Sequence, residues 1–149
     1  MDIQFYGGTR MKLKIILLFT ILVISISLLS CMVTSRDINV EITCDQFNEN
    51  HHTRNEFQVE IGDKIRVKMC SNPTTGFRWE YEMSRENVLK EEDHDFEEPG
   101  SNVPGAAGIE TWTFEAIEKG TTEVRMEYSQ PWDGGLKKEW TYTISVTVE

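Results

Sequence analysis

Residues 64–83 read KIRVKMCSNPTTGFRWEYEM, and this stretch decides the fold. In the segments 64–70 and 77–83 apolar side chains alternate with polar ones, which is the pattern of a half-buried β-strand. The SNPTTG between them has an Asn-Pro pair and a Gly, which is ordinary turn chemistry. Two adjacent threonines are less ordinary there, because they are stiff and nothing in reversing a chain requires them. The stretch predicts two strands joined by a loop that presents something to a partner.

The same alternation recurs on both sides of this stretch. Seven such runs with turn signals between them predict an antiparallel β-sandwich of about seven to eight strands. We expect Trp79, Trp112 and Trp140 in its core. The other five runs cover residues 38–43, 56–61, 110–116, 122–128 and 138–148.

Several connections between the predicted strands stand out. The connection 84–108 is long enough to hold a short extra strand or pair of strands, and we predict that its acidic run at 91–98 is a solvated loop. The polar segment 48–55 is predicted to be another loop. In a sandwich alternate loops collect at one end, so SNPTTG, VPGAAG (103–108) and SQPWDGG (129–135) are candidates for a shared binding edge.

The N-terminus has the features of an export signal. An uncharged apolar run at 15–29 follows Lys12 and Lys14, and it is shorter than the roughly 20 residues that span a bilayer. The run ends LLSC at Cys31, which resembles a bacterial-type lipobox. We therefore expect residues 1–30 to be a signal peptide, Cys31 to be lipidated, 31–37 to be a short tether and 38–149 to be the functional domain. A plain signal peptide and an uncleaved signal anchor are the alternatives.

The start of translation is a second open point, because Met11 would give a more compact basic signal than Met1. Either way the expected product is an exported protein, on the cell surface or in the periplasm as a lipoprotein, or otherwise secreted. The only membrane contact expected is the N-terminal lipid anchor.

The charge of the chain limits its partners. The formal net charge is −10, and residues 1–30 hold three basic residues and one acidic residue, so the remainder carries −12. This balance argues against nucleic acid and anionic lipid surfaces as partners. It would favour a basic partner, although a solvated acidic surface explains it equally well.

The cysteines and histidines give little support for catalysis. Without Cys31, Cys44 and Cys70 remain, and these two can form a disulfide or stay as partly buried free thiols. Cys70 continues a strand and is a poor candidate for a catalytic nucleophile. Neither the adjacent pair His51-His52 nor the surroundings of His94 match a metal motif. We therefore expect no metal, no cofactor and no enzymatic activity.

Three motifs together carry a family resemblance. They are NPTTG after a strand, GAAG at 105–108 before a strand of the form E-x-W-x-F, and Pro-Trp at 131–132 between the last two strands. In order and spacing they resemble the chagasin family, which are protein inhibitors of papain-like cysteine peptidases. The resemblance covers roughly residues 38–149. It implies an immunoglobulin-like β-sandwich that acts as a monomer by reversible, non-covalent occlusion of the active-site cleft.

The resemblance also implies a role for each loop. Residues 72–76 would form a wedge over the catalytic Cys of the peptidase, 105–108 would lie along one side of the cleft, and 131–132 would pack on the other side. The implied peptidase-binding residues are Asn72, Pro73, Thr74, Thr75, Gly76, Gly105, Ala106, Ala107, Gly108, Gln130, Pro131 and Trp132.

Two positions depart from the family pattern. Gln130 stands where the family usually has Arg, so a guanidinium that could pair with target carboxylates is missing. Ala107 stands where the family usually has Gly, and its Cβ would disfavour a positive φ. The alternative hypothesis is an immunoglobulin-like binding or adhesion module that kept the scaffold and changed its partner.

Overall fold

The computed structural model describes residues 34–100 and 103–149. Residues Ser35–Glu149 form a compact unit. The predicted signal peptide 1–30, Cys31 and the first part of the predicted tether lie outside the described residues. Among the residues that are described, no helix is both long enough and apolar enough to cross a bilayer.

Eight strands form two four-stranded sheets, which confirms the predicted all-β sandwich. The first sheet has the order β1-β3-β6-β5 and the second has the order β2-β8-β7-β4. The strands of the first sheet are β1 (Asp37–Ile42), β3 (Lys64–Ser71), β5 (Leu89–Glu97) and β6 (Gly108–Ala116). Those of the second are β2 (His52–Val59), β4 (Arg78–Met83), β7 (Gly120–Ser129) and β8 (Trp140–Val148).

Two of the strand pairings are parallel rather than antiparallel. β1 pairs in parallel with β3, and β2 pairs in parallel with β8, while all the other pairings in the described residues are antiparallel. The prediction of an antiparallel sandwich was wrong for these two edges. Alternation along a strand reports which face is buried, but it carries no information about the direction of the neighbouring strand.

The core lies between the sheets and is made by the inward side of the alternating pattern. Val67 of β3, Phe114 of β6 and Ile144 of β8 are buried, with at most 1% of each exposed. Trp79 and Trp112 are buried as predicted, and Trp140 is partly buried against the same cluster. The alternation therefore predicted the core correctly.

Two predicted loops contain regular structure. Residues 91–98 were expected to be a solvated loop, but up to Glu97 they belong to β5, whose side chains are exposed from Lys90 onward. β5 lies at a sheet edge and carries a bulge between Glu91 and Asp93, so its side chains meet water and its period is broken. Segment 48–55 contains the end of a helix, α1 (Cys44–Glu49), and the start of β2.

The chain enters the sandwich at a buried carboxylate. Arg36, just before β1, donates to Asp63 in the β2–β3 turn through its backbone N–H at 2.8 Å and through its guanidinium at 2.7 and 3.1 Å. The backbone N–H of Glu60 adds a further hydrogen bond to Asp63 at 2.9 Å. The compact unit thus begins before residue 38, the first residue of the predicted domain.

Candidate functional site

Three connections meet at one end of the sandwich. They follow the ends of β3, β5 and β7. In the first sheet the ends of β3 and β5 lie beside the start of β6, and in the second sheet the end of β7 lies beside the starts of β4 and β8. Among the described residues the connections cover 72–77, 98–100 with 103–107, and 130–139. All twelve residues assigned to peptidase binding lie in or directly beside these connections.

The wedge loop (residues 72–76) is a single turn of 3₁₀ helix, Pro73–Thr75, closed by Gly76. Asn72 caps it, because its side-chain Oδ1 accepts from the N–H of Thr74 at 3.3 Å and from its hydroxyl at 2.6 Å. The hydroxyl of Thr75 donates to the carbonyl of Asn72 at 2.6 Å. Both threonine hydroxyls are therefore used inside the loop, where they fix its shape.

The aromatic side chains of Phe77, Trp79 and Tyr128 support the wedge loop. The N–H of Asn72 donates to the hydroxyl of Tyr128 at 2.7 Å, and the ring of Phe77 stacks on the ring of Tyr128 with their centroids 5.1 Å apart. The indole N–H of Trp79 donates to the carbonyl of Cys70 at 2.9 Å. Trp79 was predicted to lie in the core, but no sequence pattern indicated that it and Tyr128 anchor the main chain at the start of the loop.

The glycine-containing connection is tied directly to the wedge loop. Its Pro104-Gly105 pair forms a turn in which the N–H of Ala106 bonds to the carbonyl of Val103 at 3.1 Å, and Gly105 has φ +79°. The side-chain amide of Asn72 donates to the carbonyl of Gly105 at 2.7 Å. One residue thus holds two of the three loops together.

Ala107 and Gly108 differ in what they require of the backbone. Ala107 does not have a positive φ and packs, partly buried, against the core, so its Cβ is accommodated. Gly108 begins β6, and a Cβ there would lie 2.3 Å from the carbonyl oxygen of Glu97 and 2.7 Å from the ring of Phe96. In this segment, Gly105 and Gly108 are the positions that favour glycine. Gly105 has a positive φ, and Gly108 has no room for a Cβ.

Trp132 of the β7–β8 loop packs against the wedge loop. Trp132 is 49% exposed, and its ring covers Gly76, where a Cβ would lie only 2.4 Å from the ring atom Cη2. Gly76 has φ +80°, a conformation that glycine adopts without strain. Trp132 therefore rests on the wedge with about half of its surface left for a partner.

The side chain of Gln130 stabilises this loop through hydrogen bonds. Its side-chain oxygen accepts from the N–H of Leu136 at 3.0 Å, and its side-chain amide reaches the carbonyl of Thr75 at 3.5 Å. Lys137 adds a cation to the same loop, because its ammonium group donates to the carbonyls of Gln130 and Trp132. At the position where the family pattern has an arginine, this chain has Gln130, whose side chain links the β7–β8 loop to the wedge loop.

A helix and a disulfide secure the start of the wedge loop. Cys44, the first residue of α1, is joined to Cys70 by a disulfide, and Cys70 lies two residues before Asn72. Phe47 of α1 is fully buried, and its ring lies 5.2 Å from Trp79 and 5.1 Å from Trp140. The sequence signal for this helix was the capping pair Thr43 and Gln46, whose reciprocal hydrogen bonds are both present.

The residues considered for other chemistry have structural partners. The sulfur of Cys70 is in the disulfide, so it is not a free thiol, and the ring Nε2 of His94 lies 2.9 Å from Glu110. In the ranges 34–100 and 103–149 no three His, Cys, Asp or Glu side chains are grouped as a metal site would need.

The fold and these loops define a class of protein: a two-sheet β-sandwich with three loops that contact one another at one end. Residues 58–146 match the sequence profile of the chagasin family peptidase inhibitor I42, and the chain belongs to this family. The family consists of peptidase inhibitors, which confirms both the resemblance of the three motifs and the prediction that the chain is not an enzyme.

Individual relatives agree with this assignment. Amoebiasin-2 of Entamoeba histolytica is 28% identical over 101 residues, which are 67% of this chain and 80% of amoebiasin-2. Chagasin of Trypanosoma cruzi is 28% identical over 97 residues, which are 62% of this chain and 88% of chagasin.

Solved structures show the same fold. The cysteine protease inhibitor EhICP2 of Entamoeba histolytica superposes with a TM-score of 0.59 at 23% identity, over 78% of this chain and all of EhICP2. PbICP-C, solved in complex with falcipain-2, superposes with a TM-score of 0.53 at 11% identity, over 77% of this chain and all of PbICP-C.

Proposed function

We propose that this chain is a reversible, non-covalent inhibitor of papain-like cysteine peptidases that blocks the active-site cleft with its three loops. The observation that carries the proposal is the linkage of the loops: Asn72 bonds to Gly105, and Trp132 covers Gly76. A binding edge that is already fixed loses little conformational entropy when it meets its target. The relatives support the target class, since EhICP2 is described as a cysteine protease inhibitor and PbICP-C was solved with falcipain-2.

The shape of the wedge explains why a peptidase would be blocked rather than supplied with a substrate. Its tip is a 3₁₀ turn, so the chain is not extended across the site where a scissile bond would lie. Pro73 has a fixed φ and no N–H to donate, and the hydrogen bonds of Thr74 and Thr75 oppose relaxation into a strand. The wedge would fill the cleft without placing a carbonyl for attack.

The remaining loops would contact the two walls of the cleft. Residues 105–108 would lie along one wall, and Pro131 with Trp132 would pack against the other. Trp132 is the best candidate for an energetic hot spot, because it is a large, half-exposed aromatic side chain held in place by its neighbours. Gln130 would contribute by bracing the loop rather than by pairing with a target carboxylate.

A titration of residues 32–149 against papain and a cathepsin L-like enzyme, with a fluorogenic peptide as substrate, tests this function. We expect tight inhibition by the wild type and much weaker inhibition by Thr74→Trp/Thr75→Pro and by Trp132→Ala. If a folded wild-type domain fails to inhibit at micromolar concentration, the proposal is wrong for these peptidases. The alternative of an adhesion or binding module with another partner would then be pursued by pull-downs from the cell surface.

We further propose that the protein is exported and held at the membrane by a lipid on Cys31, where it would act as a monomer. The support is the basic and apolar start of the chain and its LLSC sequence. Intact mass measurement of the protein purified from its host tests the proposal. An unmodified N-terminus, or cleavage at a site other than before Cys31, would contradict it, and size-exclusion chromatography with light scattering would show whether it is a monomer.

A further inference from the structure

A cleft of about 500 Å³ opens beside the wedge loop, between it and the edge strand β5. Its floor and walls include Ser71, Pro73, Phe77, Asp95, Phe96 and Glu110.

Glu110 lies in this cleft with few hydrogen-bond donors around it. It is only 9% exposed, and in the described part of the chain its carboxylate has one hydrogen-bond partner, the ring of His94 at 2.9 Å. The other buried carboxylate, Asp63, receives four hydrogen bonds from Arg36 and Glu60. Buried carboxylates are normally paired and hydrogen-bonded, so Glu110 leaves room for a donor from outside.

A second polar group beside Glu110 has no hydrogen-bond partner. The hydroxyl oxygen of Ser71 is buried, and within residues 34–100 and 103–149 it makes no hydrogen bond. Ser71 lines the same cleft, and Ser71 and Glu110 occupy neighbouring positions on β3 and β6, where Ser71 pairs with Gly108 and Met69 pairs with Glu110. A carboxylate with a single partner and a hydroxyl with none thus lie on one wall, where a ligand with several donors could bond to both.

The other walls suit a flat cation. Phe77 and Phe96 line the cleft, and a guanidinium can stack on aromatic rings. The chain's own Arg78 also lines the cleft, but it is 59% exposed and pairs with Glu80 at 2.5 Å. Arg78 therefore forms its ion pair with Glu80, and the partner of Glu110 in the cleft is His94.

We propose that this cleft binds a guanidinium group, with Glu110 as the anion and Ser71 as an additional hydrogen-bond partner. This inference rests on the proposed function for its source: the guanidinium is that of an arginine on the rim of the bound peptidase, because Pro73 of the wedge forms part of the same cleft. The net charge of −12 outside residues 1–30 would favour such a basic partner.

Direct binding of Nα-acetyl-arginine amide to residues 32–149, followed by NMR chemical shifts, tests the site. We expect shifts at Ser71, Phe77 and Glu110, with the neutral citrulline analogue giving none. Glu110→Gln should weaken binding about tenfold, because a charge-assisted hydrogen bond is lost. Glu115→Gln makes the same charge change on β6 but outside the cleft, so it should bind like the wild type.

Ser71→Ala covers the case in which Glu110→Gln disturbs the fold, because it removes only a hydroxyl and should still weaken binding. Equal binding of the arginine and citrulline analogues, or equal binding by wild type and Ser71→Ala in a folded domain, would overturn the proposal.

The source of the guanidinium is tested by competition. If a peptidase arginine occupies the cleft, saturating Nα-acetyl-arginine amide should raise the inhibition constant of the wild type and leave that of Glu110→Gln unchanged. Binding of the amide without any competition would overturn the assignment to the peptidase, while inhibition itself would remain intact. Failure of the proposed function would instead appear as no inhibition at all, with or without the amide.

Discussion

Asn72 holds the wedge loop in shape from the inside and connects it to its neighbour. Its side chain accepts two hydrogen bonds from Thr74 and donates one to Gly105. We expect Asn72→Ala to weaken inhibition of papain about tenfold or more, since each lost hydrogen bond is worth roughly 1 kcal/mol. The melting temperature should change little, because the loop is largely exposed.

Asn72→Asp separates the two links of this residue, because it keeps the acceptor for Thr74 and puts an anionic oxygen in place of the donor to Gly105. We expect a loss of inhibition here too, because the new oxygen repels the Gly105 carbonyl. If Asn72→Ala inhibits as well as the wild type, the linkage between the two loops does not matter for binding.

Gly76 is needed both for its backbone conformation and for its missing side chain. Gly76→Ala should cost about 1–2 kcal/mol for the positive φ and, in addition, push the Trp132 ring off the wedge. Inhibition should fall at least as far as in Trp132→Ala, and the double variant should be little worse than either single variant.

Gly134→Ala is the matched control for Gly76→Ala. Gly134 has φ +78°, but a Cβ there would have no atom within 4 Å, so only the conformational strain is reproduced. Inhibition constants of the four variants, compared with thermal unfolding, separate strain from contact. Equal losses in both glycine variants would show that the contact with Trp132 is not important.

At the scale of single elements, the sequence located the strands that bury alternate side chains, but for the connection 84–108 it predicted an extra strand or pair of strands without locating it. β5 has inward positions occupied by Glu91 and His94 at an open edge, so it showed no apolar alternation. α1 buries only Phe47 in six residues, which is too short for a helical period to be seen. The three loops were found because motif order identified them, whereas their hydrogen bonds to one another depend on distances that no sequence pattern contains.

The disulfide between Cys44 and Cys70 connects α1 to the strand that leads into the wedge. The bridged cysteines are 26 residues apart, and closing a loop of this length stabilises the fold by about 3.5 kcal/mol in the chain-entropy model. We expect the Cys44→Ser/Cys70→Ser variant to lose up to about that amount in urea unfolding.

Reduction of the wild type with dithiothreitol should reproduce this loss and should have no effect on the double serine variant. If the double variant unfolds at the same urea concentration as the oxidised wild type, the bridge does not contribute to stability. Inhibition by both proteins under reducing conditions would show how far the wedge depends on it.

On the scale of the whole molecule, the end opposite the binding loops is fastened by Arg36 and Asp63. Burial raises the pKa of Asp63, but hydrogen bonds from the N–H groups of Glu60 and Arg36 and from the Arg36 guanidinium outweigh it and hold the pKa below its ordinary value. The charged carboxylate therefore stabilises the fold above that ordinary value, and the contribution disappears as the pH falls through the lowered pKa.

Asp63→Asn should consequently lower the free energy of unfolding at pH 7, and the gap to the wild type should narrow in acid. Urea unfolding at a series of pH values between about 2 and 7 measures this, with Glu118→Gln as an exposed control. A gap that stays constant through this range would show that the charge on Asp63 does not contribute.

The position of the chain ends predicts how the inhibitor can be anchored. β1 starts beside Lys64 and β8 finishes beside Gly120, so the described chain enters and leaves the sandwich at the end away from the three loops. A tether at the N-terminus would therefore leave the loops facing outward.

We expect residues 32–149 with an N-terminal biotin to inhibit papain on a streptavidin surface with the same constant as in solution. Attachment through a cysteine introduced at Gly134, in the β7–β8 loop, should abolish inhibition, because the surface would then occupy the space that the peptidase needs. If both attachments inhibit equally, the three loops do not form the binding edge.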